Sequence, residues 1–321
     1  MIKLWRDMAV QNPGLGNFPL RNIFPSGRQA LSQALTEAGL DRGDRVAIPE
    51  WSSQCVINAV GAYAMPIPIN EVIAGEIKCA GVLVYEQWGW PLSAGVLGEL
   101  EARFTGAVFI KDMVDSAHYF ADKLNAAKNF KTIIRVLSLS KLLGVTGGGL
   151  ATVNDRPLAF EPEEGSVKLM AALVKQGLVG EDPYGQINTI LKSQVKALDP
   201  HLTKWLSEND VTAAVKIELA ARQRNLAALL KSPLSSEWPV WMKRAVEAGA
   251  GPGIAPLLRG APEPVIKGKQ AVLLSEHGVE TSLYHFNWSG DPLNPAYEKC
   301  LAFPVHGLVE DIAKKLEFIK P

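Results

Sequence analysis

Residues 133–149 read IIRVLSLSKLLGVTGGG, an apolar run that leads through two serines to Lys141 and then to three glycines. The run is typical of a buried strand, and the glycines allow the main chain to approach a ligand closely. A lysine between them is expected to be partly removed from water, which lowers its pKa and favours the nucleophilic amine. Lys141 is therefore a candidate for Schiff-base chemistry and Ser138 for phosphate binding, although lysines that follow serines are also frequent on protein surfaces.

Upstream of this run, helical and strand patterns alternate along the chain. Helices are predicted at residues 27–40, 56–64 and 94–104, and strands at 45–49, 81–85, 107–110, 133–139 and 149–154. Such alternation indicates an α/β fold with a mostly parallel, helix-covered sheet. Ligands of open parallel sheets bind beyond the carboxyl ends of the strands, so residues that directly follow strands are the candidates for a site.

Downstream of Lys141 the pattern changes. A long amphipathic helix is predicted at residues 211–230, with Arg222 and Arg224 on its solvated side, and the Pro/Gly-rich residues 249–264 are predicted to form a loop or crossover. Strands at residues 265–274 and 282–286 and a helix at 309–319 then suggest a smaller α+β domain. The predicted division is a large domain at residues 1–225 and a small domain at 226–321.

Two segments near predicted strand or helix ends add polar candidates. Ser26 and Gly27 open the first helix, where free main-chain N–H groups suit a phosphate, although an ordinary Ser26 helix cap explains the same residues. Asp115 and His118 follow the strand at 107–110, where a carboxylate could hold a protonated ring nitrogen. Both side chains could equally be helix caps or satisfied hydrogen-bond partners.

Composition limits the classes of partner and compartment. The 321 residues carry 33 basic and 33 acidic side chains, a balance that predicts neither nucleic acid nor membrane partners. The amino-terminal residues lack the apolar run of a signal peptide, so we expect a cytoplasmic protein. Cys55, Cys79 and Cys300 are too far apart in sequence for a CxxC pair, and we expect them to be reduced and buried, with no metal site.

Taken in order, the motifs of this chain resemble those of the DegT/DnrJ/StrS nucleotide-sugar aminotransferases, a family of fold-type-I enzymes that use pyridoxal phosphate (PLP). Residues 26–31 look like the family's SGTxAL turn, 43–49 like GDxVxxP, 87–91 like HxxGxP and 114–118 like EDxAH. Residues 138–141 with the following glycines look like its lysine loop, and 277–281 and 301–306 look like its GIxT and LPxH elements. The resemblance covers residues 26–306, and its specificity comes from the order of the motifs.

The resemblance implies a catalytic centre and a cofactor. Lys141 would hold PLP as a Schiff base and then move the proton, Asp115 would keep the pyridine nitrogen protonated, and His118 would lie by the phenolic oxygen. The other implied cofactor-binding residues are Gly27 and Arg28 through main-chain amides, Ser138 through its hydroxyl, and Trp51 or Ser53 at the stacking position.

The implied reaction moves an amino group from an amino acid, expected to be glutamate, to a keto sugar of a nucleotide-sugar, as in polysaccharide biosynthesis, in a homodimer. Arg28 stands where the family has Thr or Ser, and the family's GxNxRM segment, which reaches into the neighbouring subunit's site, has no match, with residues 181–210 divergent. Two alternatives therefore stay open: a PLP enzyme of another reaction type, such as a lyase or small-amine transaminase, and a PLP-binding regulatory protein without turnover.

Overall fold

A seven-stranded mixed sheet forms the framework of the computed structural model, which describes residues 1–12, 18–93, 95–121, 129–178 and 195–319. Its strands are β1 (Arg45–Ile48), β2 (Met65–Pro68), β3 (Gly81–Tyr85), β4 (Val108–Asp112), β5 (Thr132–Ser138), β6 (Gly149–Val153) and β7 (Arg156–Pro157). The strand order is β2-β1-β3-β4-β5-β6-β7, with the first five strands parallel and β6 and β7 antiparallel. The predicted α/β class with a mostly parallel sheet is confirmed.

Helices cover both faces of this sheet. They are α1 (Gly27–Glu37), α2 (Gln54–Gly61), α3 (Ile69–Ala74), α4 (Val96–Arg103), α5 (Leu139–Leu143), α6 (Glu164–Lys175), α7 (Pro200–Glu208) and α8 (Val211–Leu230). Neighbouring strand residues enter different cores: Ile110 packs in the cluster with α1, whereas Phe109 packs in the cluster with α3 and α4. Because both faces are buried, β3 and β4 are almost continuously apolar, which explains why their positions could be predicted.

The register of the parallel strands places several strand ends at one edge. Tyr85, the last residue of β3, pairs with Asp112 at the end of β4, and Asp112 pairs with Val136 of β5. The loops that follow β3, β4 and β5 therefore leave the sheet side by side.

A second, antiparallel sheet lies in the carboxyl-terminal part of the chain. It contains β8 (Ile254–Leu257), β9 (Ser282–Asn287) and β10 (Tyr297–Pro304) in the order β8-β10-β9. The helices of this part are α9 (Val240–Glu247), α10 (Glu263–His277) and α11 (Ile312–Leu316). Trp88 and Trp90, from the turn after β3, are buried in the core of this part, so the two sheets are joined through an aromatic cluster.

Three predictions about this part are wrong. Residues 265–274 belong to helix α10, not to a strand, since Ile266 and Leu273 are buried one heptad apart on a single helix face. Residues 249–264 include strand β8 as well as loop. Arg222 of α8 is 1% exposed and lies in the interior, whereas Arg224 is exposed as predicted. The division at residue 225/226 stays a prediction, and it falls within α8.

Two further observations concern the whole chain. All three cysteines are free; Cys300 is buried as predicted, but Cys55 and Cys79 are only half-buried. None of the helices among the described residues combines the length and apolar character that a membrane crossing requires.

Candidate active site

Lys141 and Asp115 meet at the carboxyl edge of the large sheet. Lys141 lies in the short helix α5 that directly follows β5, and Asp115 lies in the loop after β4. Lys141 Nζ is 3.4 Å from Asp115 Oδ1, with 36% of the lysine side chain and 8% of the aspartate side chain exposed. The two residues that the sequence identified independently thus form an ion pair at the edge where parallel sheets bind ligands.

The charge environment of Lys141 differs from the prediction. Burial disfavours the ammonium ion, but the carboxylates of Asp115 and Asp112 outweigh this effect, so the pKa of Lys141 is raised and not lowered. The prediction of a lowered pKa rested on desolvation alone, whereas the folded chain places a second carboxylate, that of Asp112, near Lys141. Before any ligand is bound, the chain therefore favours the protonated amine.

The first turn and the glycine run lie beside the lysine helix. Ser26 Oγ accepts a hydrogen bond from Gln29 N at 3.3 Å, so Ser26 is the cap of α1 that the simpler interpretation predicted. Ser26 also forms a β-bridge with Gly148, which brings the amino terminus of α1 next to the start of β6. A Cβ atom at Gly27 would lie 3.4 Å from Ser138 Cβ. The capped helix end and Ser138 therefore share one site, as a phosphate would require.

The hydroxyls near this helix end are arranged as a pair. Ser138 Oγ and Ser140 Oγ are 3.0 Å apart, and Ser138 is 7% exposed. Arg28 is half-buried in the first turn of α1. A cation at this position opposes the helix macrodipole, and a bound anion would offset that cost.

Gly149→Ala is expected to disturb this arrangement. An added Cβ at Gly149 would overlap the main chain of Ser26, which cannot move without shifting the start of α1. We expect a loss of about 2 kcal/mol in the free energy of unfolding, measured by urea denaturation. Gly268→Ala is the matched control, because nothing lies within 4 Å of an added Cβ in the middle of α10 and alanine favours a helix. Equal stability of the two variants would contradict the close approach of Gly149 and Ser26.

Asp112 is a buried carboxyl group that the sequence analysis did not identify. It ends β4, is 3% exposed, and accepts a hydrogen bond from Val114 N at 3.1 Å. Burial raises the pKa of Asp112 to about 6, although Lys141 and the Val114 amide act in the opposite direction. The sequence feature that could have identified Asp112 is its position at the end of an apolar strand.

Asp112→Asn is expected to flatten the pH dependence of stability between about pH 4 and pH 6. The ordinary pKa of Asp is about 4, so the folded chain holds a proton in this range that the unfolded chain releases. Stability from Asp112 is therefore lost as the pH rises through about 6, and the asparagine variant has no such loss. From pH 4 to pH 7, the unfolding free energy of the variant should gain on the order of 2 kcal/mol over the original chain. Asp311→Asn, at an exposed site, serves as the control. If the unfolding free energies of Asp112→Asn and of the original chain changed with pH in parallel, the prediction would be refuted.

A second buried cluster surrounds Glu86, which directly follows β3. Its carboxylate lies 2.9 Å from Lys111 Nζ and 2.9 Å from His118 Nε2, and it accepts a hydrogen bond from Ser116 Oγ at 2.5 Å. The sequence analysis identified His118 but not Glu86, Lys111 or Ser116. Glu86 thus contacts His118 directly, and Lys111 on β4 and Ser116 in the loop after β4 hold Glu86 in place.

Trp51 and Ser53 lie in the loop after β1. Trp51 is 52% exposed, and its ring stacks on that of His285 with centroids 4.7 Å apart. Ser53 precedes α2, with its Oγ 3.2 Å from Cys55 Sγ. Both residues are at the correct edge of the sheet, but the stacking partner of Trp51 in this chain is a histidine of the small sheet. Within the divergent segment 181–210, residues 181–194 lie outside the described residues.

Arg222 connects helix α5, which carries Lys141, to the loop that carries Asp115. Its guanidinium donates to the carbonyl of Asp115 at 2.9 Å, of Gly251 at 3.2 Å and of Leu142 at 3.4 Å. Its Nε is 2.7 Å from Glu218 Oε1 one helical turn earlier. Leu142 follows Lys141 directly, so one buried side chain fixes the main chain next to both members of the ion pair.

The amino-terminal segment, residues 1–12, crosses the same region. Lys141 Nζ lies 5.0 Å from the centre of the Trp5 ring, and Arg6 pairs with Glu218 at 3.0 Å. Val10 N donates to the carbonyl of Leu143, while Ile2 forms a parallel bridge with Val279. The segment therefore touches the lysine helix and the carboxyl-terminal part, a role that its short, mixed sequence did not reveal.

Two other histidines have separate surroundings. His306 is 1% exposed, and its Nε2 lies 3.0 Å from the carbonyl oxygen of Lys3. Burial lowers the pKa of His306 to about 4. His285 lies under Trp51.

The residues present fit pyridoxal phosphate. Asp115 Oδ1 is buried and accepts no hydrogen bond of regular geometry in the described part of the chain, as required of a group that awaits a ring N–H. The helix end at Gly27 and the Ser138–Ser140 hydroxyl pair fit a phosphate, and Lys141 supplies a primary amine. An acid in the loop after β4, an amine on helix α5 and an anion site at the start of helix α1 thus adjoin one another.

Comparison with known proteins supports the same class. Residues 10–163, which include Asp115 and Lys141, match a family model described as "Putative PLP-dependent aminotransferase". No curated protein sequence matches the chain.

Among solved structures, a DegT/DnrJ/EryC1/StrS aminotransferase from Brucella abortus is 17% identical, with a TM-score of 0.51 over 92% of this chain and 84% of that one. A 3-amino-5-hydroxybenzoic acid synthase is 15% identical, with a TM-score of 0.57 over 92% and 84%. NtdA from Bacillus subtilis, with bound cofactor PMP, is 15% identical, with a TM-score of 0.51 over 93% and 73%.

The fold is that of the fold-type-I PLP enzymes, and these identities are low enough that the structural likeness speaks for the fold alone. The family model, in contrast, matches the segment of the sequence that contains both members of the ion pair, Lys141 and Asp115. The match of residues 10–163 to this family model indicates a PLP-dependent aminotransferase, with pyridoxal phosphate as its cofactor. The neighbour from the DegT/DnrJ/EryC1/StrS group has the fold that the resemblance implies.

Proposed function

We propose that the chain transfers an amino group from glutamate to the keto sugar of a nucleotide-sugar, with Lys141, Asp115 and His118 at the reacting centre. The observation that supports this most is the contact of 3.4 Å between Lys141 Nζ and the buried carboxylate of Asp115. A lysine beside a buried acid, next to a helix end, is the set of groups that PLP chemistry needs. An ordinary surface lysine has no such surroundings.

The residues act in distinct ways in this proposal. Lys141 Nζ holds the cofactor and then takes and returns the proton at the reacting carbon. The Asp115 carboxylate accepts the N–H of the pyridine ring and keeps the proton there. When bound, PLP supplies an electron sink, which is the cofactor's own chemistry. Ser138 and the main-chain amides of Gly27 and Arg28 bind its phosphate.

His118, Trp51 and Ser53 complete the proposed cofactor site. The first would lie by the phenolic oxygen, and the other two would line the ring from the loop after β1. The half-exposed Trp51 has an aromatic surface suited to a planar ring. Its contact with His285 would then connect the ring to the small sheet.

The sugar acceptor and the dimer rest on the ordered motifs and on the structural neighbour from the DegT/DnrJ/EryC1/StrS group. We propose a homodimer in which the partner contributes to the substrate side of the site. Molar mass from light scattering would be expected at twice the 34.7 kDa of one chain. A monomer that transaminates would exclude the partner's contribution.

Absorbance spectra with and without glutamate test cofactor and donor together. Purified protein loaded with PLP should show a visible band that disappears when glutamate is added and returns with 2-oxoglutarate. Absence of the band would refute the cofactor assignment. A band that no amino acid changes would instead support a PLP-binding protein without turnover.

The acceptor is tested once the cofactor is in its amine form. A keto nucleotide-sugar should restore the visible band faster than the free keto sugar or a small ketone. A faster response to the small ketone would replace the nucleotide-sugar with a small-amine reaction.

A further inference from the structure

Glu86 is a buried acid outside the lysine–aspartate pair. It is 2% exposed, and its two carboxylate oxygens contact Lys111 Nζ and His118 Nε2, both at 2.9 Å. Ser116 Oγ donates to the oxygen that faces His118. A buried carboxylate with this many donors is a built feature, since an unpaired one would be very costly.

The charge of Glu86 decides what it can do to His118. Burial disfavours its anion, but His118 and Lys111 outweigh that effect and lower the pKa of Glu86 to about 2. At neutral pH its oxygens can therefore only accept hydrogen bonds. The His118 nitrogen that faces them, Nε2, must then carry a hydrogen.

The other ring nitrogen of His118 has different surroundings. Neither ring nitrogen makes a hydrogen bond of regular geometry in the described part of the chain, but Nε2 has the Glu86 carboxylate at 2.9 Å, whereas the buried Nδ1 has no acid beside it there. A buried nitrogen of this kind normally has a hydrogen-bond partner, and a bound ligand is a candidate for that partner. Of the charged residues, Glu86 contacts this ring, and Glu86 in turn interacts with Lys111 and, at longer range, with Asp112.

We propose that Glu86 is a positioning residue that fixes the Nε2–H form of His118 and so directs Nδ1 toward the bound cofactor. The second half of this proposal, that Nδ1 faces the cofactor, rests on the proposed function, because only the proposed function places His118 beside the cofactor. Lys111 neutralises Glu86 from the opposite side and keeps its carboxylate in place. Glu86 itself does not contact the reacting atoms.

The tautomer of His118 can be measured in the protein without cofactor. Nitrogen and carbon NMR of chain labelled at its five histidines would be recorded at a pH where the ring is neutral, with His118→Asn to assign the signal. We expect a protonated Nε2 and a bare Nδ1 in the original chain. In Glu86→Gln the amide can donate as well as accept, so the Nε2–H share should fall and both forms should appear. A single Nε2–H form in Glu86→Gln would overturn the proposal.

Glu86→Gln leaves Lys111 buried without its anion, which could prevent folding. The double variant Glu86→Gln/Lys111→Met removes both charges and should show the same mixture of tautomers. Lys111→Met alone keeps the carboxylate and should keep the Nε2–H form. Glu101→Gln is the matched control, because Glu101 is also a buried acid but lies on α4. If the double variant keeps the Nε2–H form, Glu86 does not set it.

Cofactor affinity tests the second half of the proposal. Titration of apoprotein with PLP, followed by tryptophan fluorescence, should give about tenfold weaker binding in Glu86→Gln and no change in Glu101→Gln. A changed tautomer with unchanged affinity would overturn the link to the cofactor. If the original chain binds no PLP, the proposed function fails, while the tautomer of the apoprotein still decides the role of Glu86.

Discussion

Lys141→Ala is expected to abolish covalent attachment of PLP and to reduce transamination by at least about 10³-fold. Two separate functions would be lost: the amine that holds the cofactor and the group that moves the proton. Borohydride reduction followed by peptide mass spectrometry would locate the attachment. The original chain should carry a PLP-sized mass increase on the peptide that contains Lys141, and the variant should carry none.

The control for this experiment is Lys175→Ala, at the exposed end of α6. It should retain both the mass increase and the activity. A modified peptide in the Lys141→Ala variant would mean that another lysine holds the cofactor. In that case the ion pair with Asp115 would lose its assigned chemistry, although the fold would be unaffected.

Arg222→Met is expected to lower the free energy of unfolding by about 3 kcal/mol. The guanidinium is 1% exposed and donates to three main-chain carbonyls. Its removal leaves these acceptors without a donor and leaves Glu218 with Arg6 as its remaining cation. Urea denaturation should show a lower midpoint, and cofactor binding should weaken because helix α5 and the Asp115 loop lose their common support.

Arg224→Met provides the comparison on the same helix. Arg224 is exposed, so its replacement should change stability by less than about 0.5 kcal/mol. Arg222→Lys should recover only part of the loss, since a single ammonium group cannot reach three carbonyls as a planar guanidinium does. Equal effects of the Arg222 and Arg224 replacements would show that the buried contacts contribute little.

The large sheet could be predicted because its central strands are buried on both faces. Residues 82–84 and 108–110 are apolar without interruption, and they alternate with helical patterns. The same logic failed in the carboxyl-terminal part. Strand β8 is only four residues long within a Pro/Gly-rich segment, and helix α10 buries just Ile266 and Leu273, which leaves a weak helical pattern.

The site was predictable to the extent that each residue directly follows a strand. Asp115 and Lys141 were found in this way, and the strand order brings them together. Arg222 was not found, because its partner Asp115 is 107 residues away in sequence and its helix looks amphipathic. Glu86 and Asp112 were missed for a related reason: their roles depend on neighbours across strands, which a linear sequence does not show.

The contact between Ile2 and Val279 also has a consequence for synthesis on the ribosome. Ile2 must wait for more than 270 further residues to be synthesised before its β-bridge with Val279 can form, and Arg6 must wait for Glu218. Such distant contacts are among the slowest to form in a folding chain. Trp5 therefore reaches its place over Lys141 late, so a nascent chain can build its large sheet well before its site is complete.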